Sequence, residues 1–341
     1  MKTTRLFLPV IALLLTAHSS FATFSTPGQG MQTVLSGTVD NAGLYLQTAG
    51  AWANTTPTQP YSVQTSFTMP TVDDVVLGRL ILTVWGGSAA RTNVMDITVN
   101  GTSLVGGALT FGTTNDANAS FSATQPSVYG SGSGVWLVSL PVTASLLHTD
   151  GSANTVAINE TTPTFDGRIY QITLVSVYQD ADLNNQFQYA IAEGSGDIYG
   201  SPSSPQVDSR TISFGGLTLA NPTAASLNAV YTFGDNSQND RLFFNDTQLG
   251  TDNLATWNGN QSVSTGTNYG PDVVSFDVLG LLGAETNDVR FSVSALDVPG
   301  TRETSLRPQV AVFTVQAIPE PSTLLLVGLG LGTLLLRRRR S

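Results

Sequence analysis

The residue types on which most enzymes depend are largely missing from this chain. It has no cysteine, which excludes thiolate nucleophiles, thiolate-bound metals and disulfides. Its single lysine is Lys2, and one of its two histidines, His18, lies in an N-terminal apolar segment, which leaves His148. No G-x-S-x-G motif surrounds any serine, so His148 in the turn sequence SLLHTDG is predicted to be a surface histidine, not a triad member. The chemistry left open is that of carboxylates, oxygen-bound cations and sugar-stacking aromatic rings.

Glycoside hydrolysis needs two carboxylates on either side of the bond that is cleaved. Three acidic pairs are close enough in sequence to be considered, namely Asp73 with Asp74, Asp180 with Asp182, and Glu193 with Asp197. Neighbouring acids in loops are common in an acidic protein, and sequence spacing does not show that they converge in space. The sequence therefore favours a protein that is not an enzyme.

Calcium binds through oxygen ligands alone, so it is the one cofactor that the composition leaves open. Residues 180–191 begin like an EF-hand loop, but Asn185 and Ile191 replace the required glycine and glutamate. The polar turn DNSQND offers Asp235, Asn239 and Asp240 as calcium ligands. Ordinary Asx-turn hydrogen bonding explains the same turn equally well. Both interpretations stay open.

Exposed tryptophans could stack on sugar rings. Trp257 and Trp52 lie in polar, strand-poor segments and are the candidates for this role. Trp85 and Trp136 lie within apolar runs, which predicts that they pack in a core.

The charge of the central region argues against nucleic acid as a partner. Residues 23–318 carry 8 arginines and 23 acidic residues, a net charge of −15. Such a surface repels a phosphate backbone. The same charge keeps an exported protein soluble.

The elements that would position these residues are β-strands. Short runs such as ILTVW, DITVN and TVAIN are rich in β-branched residues and alternate partly between polar and apolar positions. Only 140–148 and 278–284 suggest a short helical turn. Similar sequence blocks occur in the same order in 62–178 and in 208–315. For example, ITVNGTSL in the first stretch corresponds to LFFNDTQL in the second. We therefore expect an all-β protein with two tandem β-sandwich, jelly-roll-like domains that arose from an internal repeat.

The predicted domain boundaries follow the linker candidate YGSPSSP at 199–205. The first sandwich spans 23–200 and the second spans 206–316. A strand over 187–192 either extends the first sandwich or bridges the two. An edge strand is expected near 43–46.

The N-terminus has the order of a secretory signal peptide over residues 1–22. Lys2 and Arg5 precede an apolar stretch, and the small residues of SFA end at Ala22, where we expect cleavage. The chain is thereby predicted to be secreted through the export machinery.

The C-terminus, 319–341, combines three features in a fixed order. Pro319, Glu320 and Pro321 precede the uncharged run 324–336, which is followed by Arg337, Arg338, Arg339 and Arg340. The apolar run would span about 20 Å as a helix, less than a hydrocarbon core of about 30 Å. This tail resembles the PEP-CTERM sorting signal. The resemblance implies a short transmembrane helix, transient anchoring in the inner membrane, and processing by an exosortase-like membrane enzyme.

The central region also resembles, more loosely, an uncharacterised domain family of prokaryotic surface proteins. The similar segments are GSGVW, FDGRIY, LVSVYQD and the dipeptide at 193–194. That resemblance implies an extracellular β-rich domain and no established activity.

Two functions remain after these exclusions. The first is a non-enzymatic protein of the cell surface or of the exopolysaccharide and biofilm matrix, with polysaccharide or matrix proteins as partners. The alternative is a carbohydrate-binding module, with or without calcium.

Overall fold

The computed structural model describes residues 30–49, 61–85, 92–111, 125–130, 134–161, 168–196, 198–199, 209–216, 218–232, 240–250, 271–293 and 305–319. Ala22, Trp52, Asp235, Asn239, Trp257 and the tail from Glu320 onward, with Pro321 and Arg337 to Arg340, lie outside these residues. Within the described ranges the chain is all-β, as expected, with two short 3₁₀ turns at Ala144–Leu146 and Leu279–Leu281. Both turns fall where the sequence suggests helical turns.

The strands before the linker candidate are β1 (Gln32–Asp40), β2 (Ala42–Ala49), β3 (Tyr61–Thr68), β4 (Asp74–Trp85), β5 (Asn93–Val99), β6 (Thr102–Phe111), β7 (Ser127–Gly130), β8 (Val135–Val142), β9 (Ala153–Glu160), β10 (Arg168–Gln179), β11 (Gln186–Glu193) and β12 (Ile198–Tyr199). Those after it are β13 (Ser209–Ser213), β14 (Pro222–Thr232), β15 (Asp240–Phe244), β16 (Thr247–Leu249), β17 (Asp272–Asp277), β18 (Asp288–Val293) and β19 (Ser305–Ala317).

Four antiparallel sheets build two sandwiches. The first sandwich pairs the sheet β2-β10-β4-β8-β7 with the sheet β3-β9-β5-β6, and the second pairs β1-β11-β19-β14-β17 with β13-β18-β15-β16. Eight strands of each sandwich, numbered 1 to 8 in chain order, lie in the order 1-8-3-6 in one sheet and 2-7-4-5 in the other. These are β2 to β6 with β8 to β10 in the first sandwich, and β11 with β13 to β19 in the second. This is the strand order of a jelly roll.

The second sandwich includes strands that the sequence-based division places in the first. β1 and β11 both lie before residue 200, yet β1 pairs with β11 and β11 pairs with β19 along its whole length. β12 also pairs with the start of β19. Strand pairing is non-local, so a break in composition near 200 does not reveal which sheet a strand joins. The strand over 187–192 therefore links the two sandwiches.

The sheets lie in four layers because the two inner sheets pack on each other. Outer strands such as β5 and β9 alternate between buried and partly exposed residues, whereas β4, β8 and β10 are buried almost continuously. Continuous burial is expected for a strand covered on both faces. Ile81, Val175, Ile191 and Val312 belong to the apolar cluster between the inner sheets.

The same asparagine clasp closes one end of each sandwich. In the first, Asn100 Nδ2 donates to the Leu146 carbonyl and to Asn154 Oδ1, and the Thr155 amide donates to Asn100 Oδ1. In the second, Asn245 makes the equivalent bonds to Leu281, Asn287 and Asp288. Asn100 and Asn245 have φ values of 49° and 45°, a left-handed conformation that asparagine tolerates.

Because all pairings are antiparallel, the strand ends gather at two poles. We call the end with the clasps and Ala317, where β19 ends, the tail pole. The distal pole carries the end of β4 at Trp85, the start of β10 at Arg168 and the start of β15 at Asp240. The two sandwiches point the same way, since Asn185 at the tail pole bonds both Ala42 and Gln316, one from each inner sheet.

Candidate functional site at the distal pole

The segments that hold the predicted ligand residues all begin and end at the distal pole. Trp52 follows β2, whose last residue Ala49 pairs with Ile172 near the start of β10. Trp257 lies between β16 and β17, and Asp235 and Asn239 lie between β14 and β15. The described residues on either side of these segments therefore lie at one end of the molecule, whereas Trp52, Asp235, Asn239 and Trp257 themselves lie outside the described residues.

Asp240 has a different setting from the one expected. The sequence places it in a polar turn, whereas it begins β15, pairs with Val293 and is completely buried. Burial alternates along β15, so Asp240 faces the same way as Leu242 and Phe244. Its carboxyl group therefore points into the interior of the second sandwich.

Two further polar side chains face Asp240 from the opposite sheet. Tyr231 on β14 and Asp272 on β17 are direct cross-strand partners, which places their side chains on one face. Tyr231 belongs to the core cluster of the second sandwich, and Asp272 is 2% exposed. Burial, followed by the negative charges of Asp240 and Asp272, raises the pKa of Tyr231 well above 10.

The hydroxyl group of Tyr231 makes no hydrogen bond in the described chain. Its ring is completely buried and meets Phe291 edge-on, with centroids 5.5 Å apart. A buried hydroxyl without a hydrogen-bond partner lowers the stability of the fold. The sequence analysis missed Tyr231 and Asp272; the inward register of Asp240 in the run DRLFF is the one local signal of the site.

The first sandwich presents an aromatic surface at the same pole. Trp85 ends β4 and is partly exposed, contrary to the expectation that it packs in the core, whereas Trp136 is fully buried as expected. The guanidinium of Arg168 lies 3.9 Å from the centroid of a Trp85 ring, and Tyr170 lies 6.4 Å away, centroid to centroid. Arg168 and Tyr170 thus hold the partly exposed Trp85 ring in place.

Beneath this surface the first sandwich also buries polar groups. Asn93 and Glu160 are fully buried and lie at the distal ends of β5 and β9. Neither amide atom of Asn93 has a hydrogen-bond partner in the described chain.

Glu193 lies between the sandwiches, not in a cleft. Its Oε1 accepts a hydrogen bond from Arg79 Nε at 2.7 Å, and both side chains are fully buried. The Tyr129 hydroxyl donates to Glu193 Oε2 at 3.3 Å. This contact joins the two inner sheets, so Glu193 has the setting of a structural ion pair. Asp197, its predicted catalytic partner, lies outside the described residues.

The other acidic pairs stabilise turns at the tail pole. Asp74 Oδ1 accepts from the Val75 amide, Asp73 Oδ2 from Ala181, and Asp180 Oδ1 from Asp182. His148 is exposed at the same pole, and its amide and carbonyl bond the side chain of Asn154. Among the described residues no three His, Cys, Asp or Glu side chains cluster to hold a metal.

Comparison with known proteins assigns the central region and the tail separately. The profile of a family described as "Protein of unknown function (DUF3344)" matches residues 26–316. The chain belongs to this family. The PEP-CTERM protein-sorting motif matches residues 317–340 and begins at the last residue of β19. This DUF3344 protein therefore carries a signal for export to the surface or extracellular space, with processing by an exosortase-like membrane enzyme.

Solved structures resemble the DUF3344 chain only distantly. A peptide-N(4)-(N-acetyl-β-D-glucosaminyl) asparagine amidase has 12% identity and a TM-score of 0.30, over 81% of this chain and 97% of that one. The ANX2 ectodomain from Arabidopsis thaliana has 11% identity and a TM-score of 0.25, over 82% and 92%. No curated protein matches significantly. Within the described residues no helix is long and apolar enough to cross a membrane, and 324–336 lies outside them.

Proposed function

We propose that this protein is a non-enzymatic component of the cell surface or of the exopolysaccharide and biofilm matrix. The observation that carries the proposal is the sorting motif at 317–340, which follows the last body strand without a linker. Residues 1–22 direct secretion with cleavage after Ala22. The run 324–336 holds the chain briefly in the inner membrane until the tail is processed.

The architecture suits such a role. Two jelly rolls with the same strand order are joined through a buried apolar layer and an ion pair, which gives a rigid body with broad faces. The matching clasps and strand order support an origin by internal repeat. Four of the six acids that we considered for glycoside hydrolysis accept hydrogen bonds in turns or between sheets, which favours a role without catalysis; they are Asp73, Asp74, Asp180 and Glu193.

Fractionation of the native host, with intact mass of the recovered protein, tests this proposal. We expect the protein at the surface or in the medium, lacking residues 1–22 and its arginine cluster. Replacing Arg337 to Arg340 with alanine should leave the uncleaved species in the membrane fraction, whereas the half-exposed Arg290→Ala should not change sorting. A wild-type chain of full mass in the cytoplasm would refute the proposal.

Carbohydrate binding at the distal pole is the second candidate function. It is favoured by the partly exposed Trp85 with its stacked Arg168 at this pole. A glycan array with and without calcium tests it. We expect Trp85→Ala, Trp52→Ala or Trp257→Ala to weaken binding, and Tyr178→Ala at the tail pole to leave it unchanged. If the wild-type protein binds no glycan on the array, either with or without calcium, this candidate function is excluded.

A further inference from the structure

The turn between β5 and β6 consists of Asn100 and Gly101 alone, because Val99 pairs directly with Thr102. Their φ values are 49° and 79°, which are left-handed at both positions, as in a type I′ hairpin turn. Gly101 is exposed, and a side-chain carbon at this position would have no neighbour within 4 Å. The turn is therefore accessible to water.

An asparagine that precedes a glycine can lose its side-chain amide without an enzyme. The backbone nitrogen of the glycine attacks the side-chain Cγ, a C–N bond forms, and ammonia leaves with the proton that the backbone nitrogen gives up. Water then opens the resulting five-membered succinimide at one of its two carbonyls, which leaves aspartate or isoaspartate. Glycine favours the attack because it has no side chain to shield its nitrogen.

The clasp of the first sandwich opposes this reaction at Asn100. Its Nδ2 donates to the Leu146 carbonyl at 2.8 Å and to Asn154 Oδ1 at 2.9 Å, and its Oδ1 accepts from the Thr155 amide at 2.8 Å. The ring can close only when Cβ of Asn100 and the nitrogen of Gly101 lie on the same side of the Cα–C bond. In the left-handed conformation they lie on opposite sides. The reaction therefore requires the turn to open and these hydrogen bonds to break.

The products of the reaction cannot rebuild the clasp. An aspartate at position 100 has no amide hydrogens to donate, so the Leu146 carbonyl and Asn154 Oδ1 lose their donor and face a carboxylate instead. An isoaspartate adds one carbon to the main chain, which no longer fits the register of Val99 with Thr102. Once it has occurred, deamidation keeps the clasp open.

The second sandwich has the same clasp without the reactive pair. Asn245 makes the equivalent hydrogen bonds and has a φ of 45°. The residue that follows it is Asp246, with a φ of 62°, where the first sandwich has Gly101. A side chain on the attacking residue hinders its approach to Cγ. Asn245 is therefore a control within the same molecule.

We propose that Asn100 is a deamidation site under the control of the clasp. While the clasp is closed Asn100 is protected, and when the clasp opens Asn100 converts irreversibly to aspartate or isoaspartate. The first sandwich thus carries a one-way chemical switch at the tail pole. The switch does not depend on the surface role, which fractionation tests separately.

Peptide mapping by mass spectrometry of the full-length protein in mild detergent at pH 8 tests this site. We expect Asn100 to deamidate at least about tenfold more slowly in the folded wild-type protein than in urea, because the folded chain must first open locally. Asn154→Ala, in a protein shown by circular dichroism to be folded, should accelerate the reaction at least about fivefold, which corresponds to about 1 kcal/mol. Asn159→Ala, an exposed change on the same strand, should leave the rate unchanged.

Two further variants separate the chemistry from a general loss of stability. Asn287→Ala opens the equivalent clasp, yet Asn245 should stay slow to deamidate because Asp246 follows it. Asn100→Asp copies one product directly, and we expect it to lower the free energy of unfolding in urea as Asn154→Ala does.

The proposal is overturned if Asn100 deamidates as fast in the folded wild-type protein as in urea. It is equally overturned if folded Asn154→Ala reacts no faster than the wild type, or if Asn100→Asp is as stable as the wild type. Should Asn154→Ala fail to fold, the comparison of folded and unfolded wild-type protein and the stability of Asn100→Asp still decide the matter.

Discussion

Arg79 and Glu193 are oppositely charged side chains that the fold removes completely from water. Glu193→Gln removes the negative charge and leaves a buried guanidinium, which should lower the free energy of unfolding by about 3–5 kcal/mol. Urea denaturation measures this loss, with the exposed Glu285→Gln as a control of equal charge. The double variant Arg79→Met, Glu193→Leu should recover most of the loss. A Glu193→Gln protein as stable as the wild type would contradict the structural role of the pair.

Tyr231 makes stability sensitive to alkaline pH. Its pKa in the folded protein lies well above 10, because of burial first and of Asp240 and Asp272 second, whereas an unfolded tyrosine has a pKa near 10. The contribution of Tyr231 is thus fully present below about pH 10 and is lost as the pH rises further, since only the unfolded state releases the proton readily.

Thermal unfolding at pH 8 to 11 should therefore show a smaller decline in Tm for Tyr231→Phe than for the wild-type protein. Tyr178→Phe serves as the comparison, because burial raises the pKa of this partly exposed tyrosine less far, and we expect it to change the decline in Tm by a smaller amount. An identical decline in Tm for Tyr231→Phe and the wild type would show that the hydroxyl carries no such pH dependence.

At the scale of elements, the two clasps should be of similar energetic importance. Asn154 and Asn287 are fully buried and each bonds a turn and its partner asparagine. Asn154→Ala and Asn287→Ala should each lower the free energy of unfolding by about 1–3 kcal/mol, because buried backbone groups lose their hydrogen-bond partners. As a control, Asn159→Ala changes an exposed side chain, and its free energy of unfolding in chemical denaturation should stay within about 0.5 kcal/mol of the wild-type value. If only one clasp variant were destabilised, the equivalence of the two ends would be wrong.

The sequence predicted much of this element structure and the jelly-roll-like class of the sandwiches, but not which sandwich β1 and β11 join. The strand runs and the two 3₁₀ turns can be predicted because they depend on neighbouring residues. The place of β1 and β11 in the second sandwich cannot be predicted from local patterns, since it depends on pairing with a strand more than a hundred residues away. The Tyr231–Asp272 contact was missed for the same reason. Asp240 was misplaced because the polar segment before it suggests that the turn continues.

The jelly roll of the second sandwich begins with β11, which lies before the linker candidate at 199–205. A fragment 206–318 begins at the predicted domain boundary and therefore lacks β11. The hydrogen-bonding edge of β19 is then unpaired and the apolar face of the inner sheet is exposed. We expect this fragment to aggregate or remain unfolded by far-UV circular dichroism. The fragment 184–318, which restores β11, should be more soluble. A fragment 206–318 with a cooperative thermal transition would show that the second sandwich folds without β11.

The two poles of the molecule differ, because β19 ends at the tail pole, where the sorting motif begins, and the stacked Trp85 and Arg168 lie at the distal pole. Because the chain has no cysteine, Asp182→Cys places a single thiol on the exposed surface at the tail pole. Treatment of intact cells with a membrane-impermeant maleimide then tests the central claim of export. We predict labelling of the surface or released protein without lysis. Labelling that appears only after the cells are broken would contradict the claim.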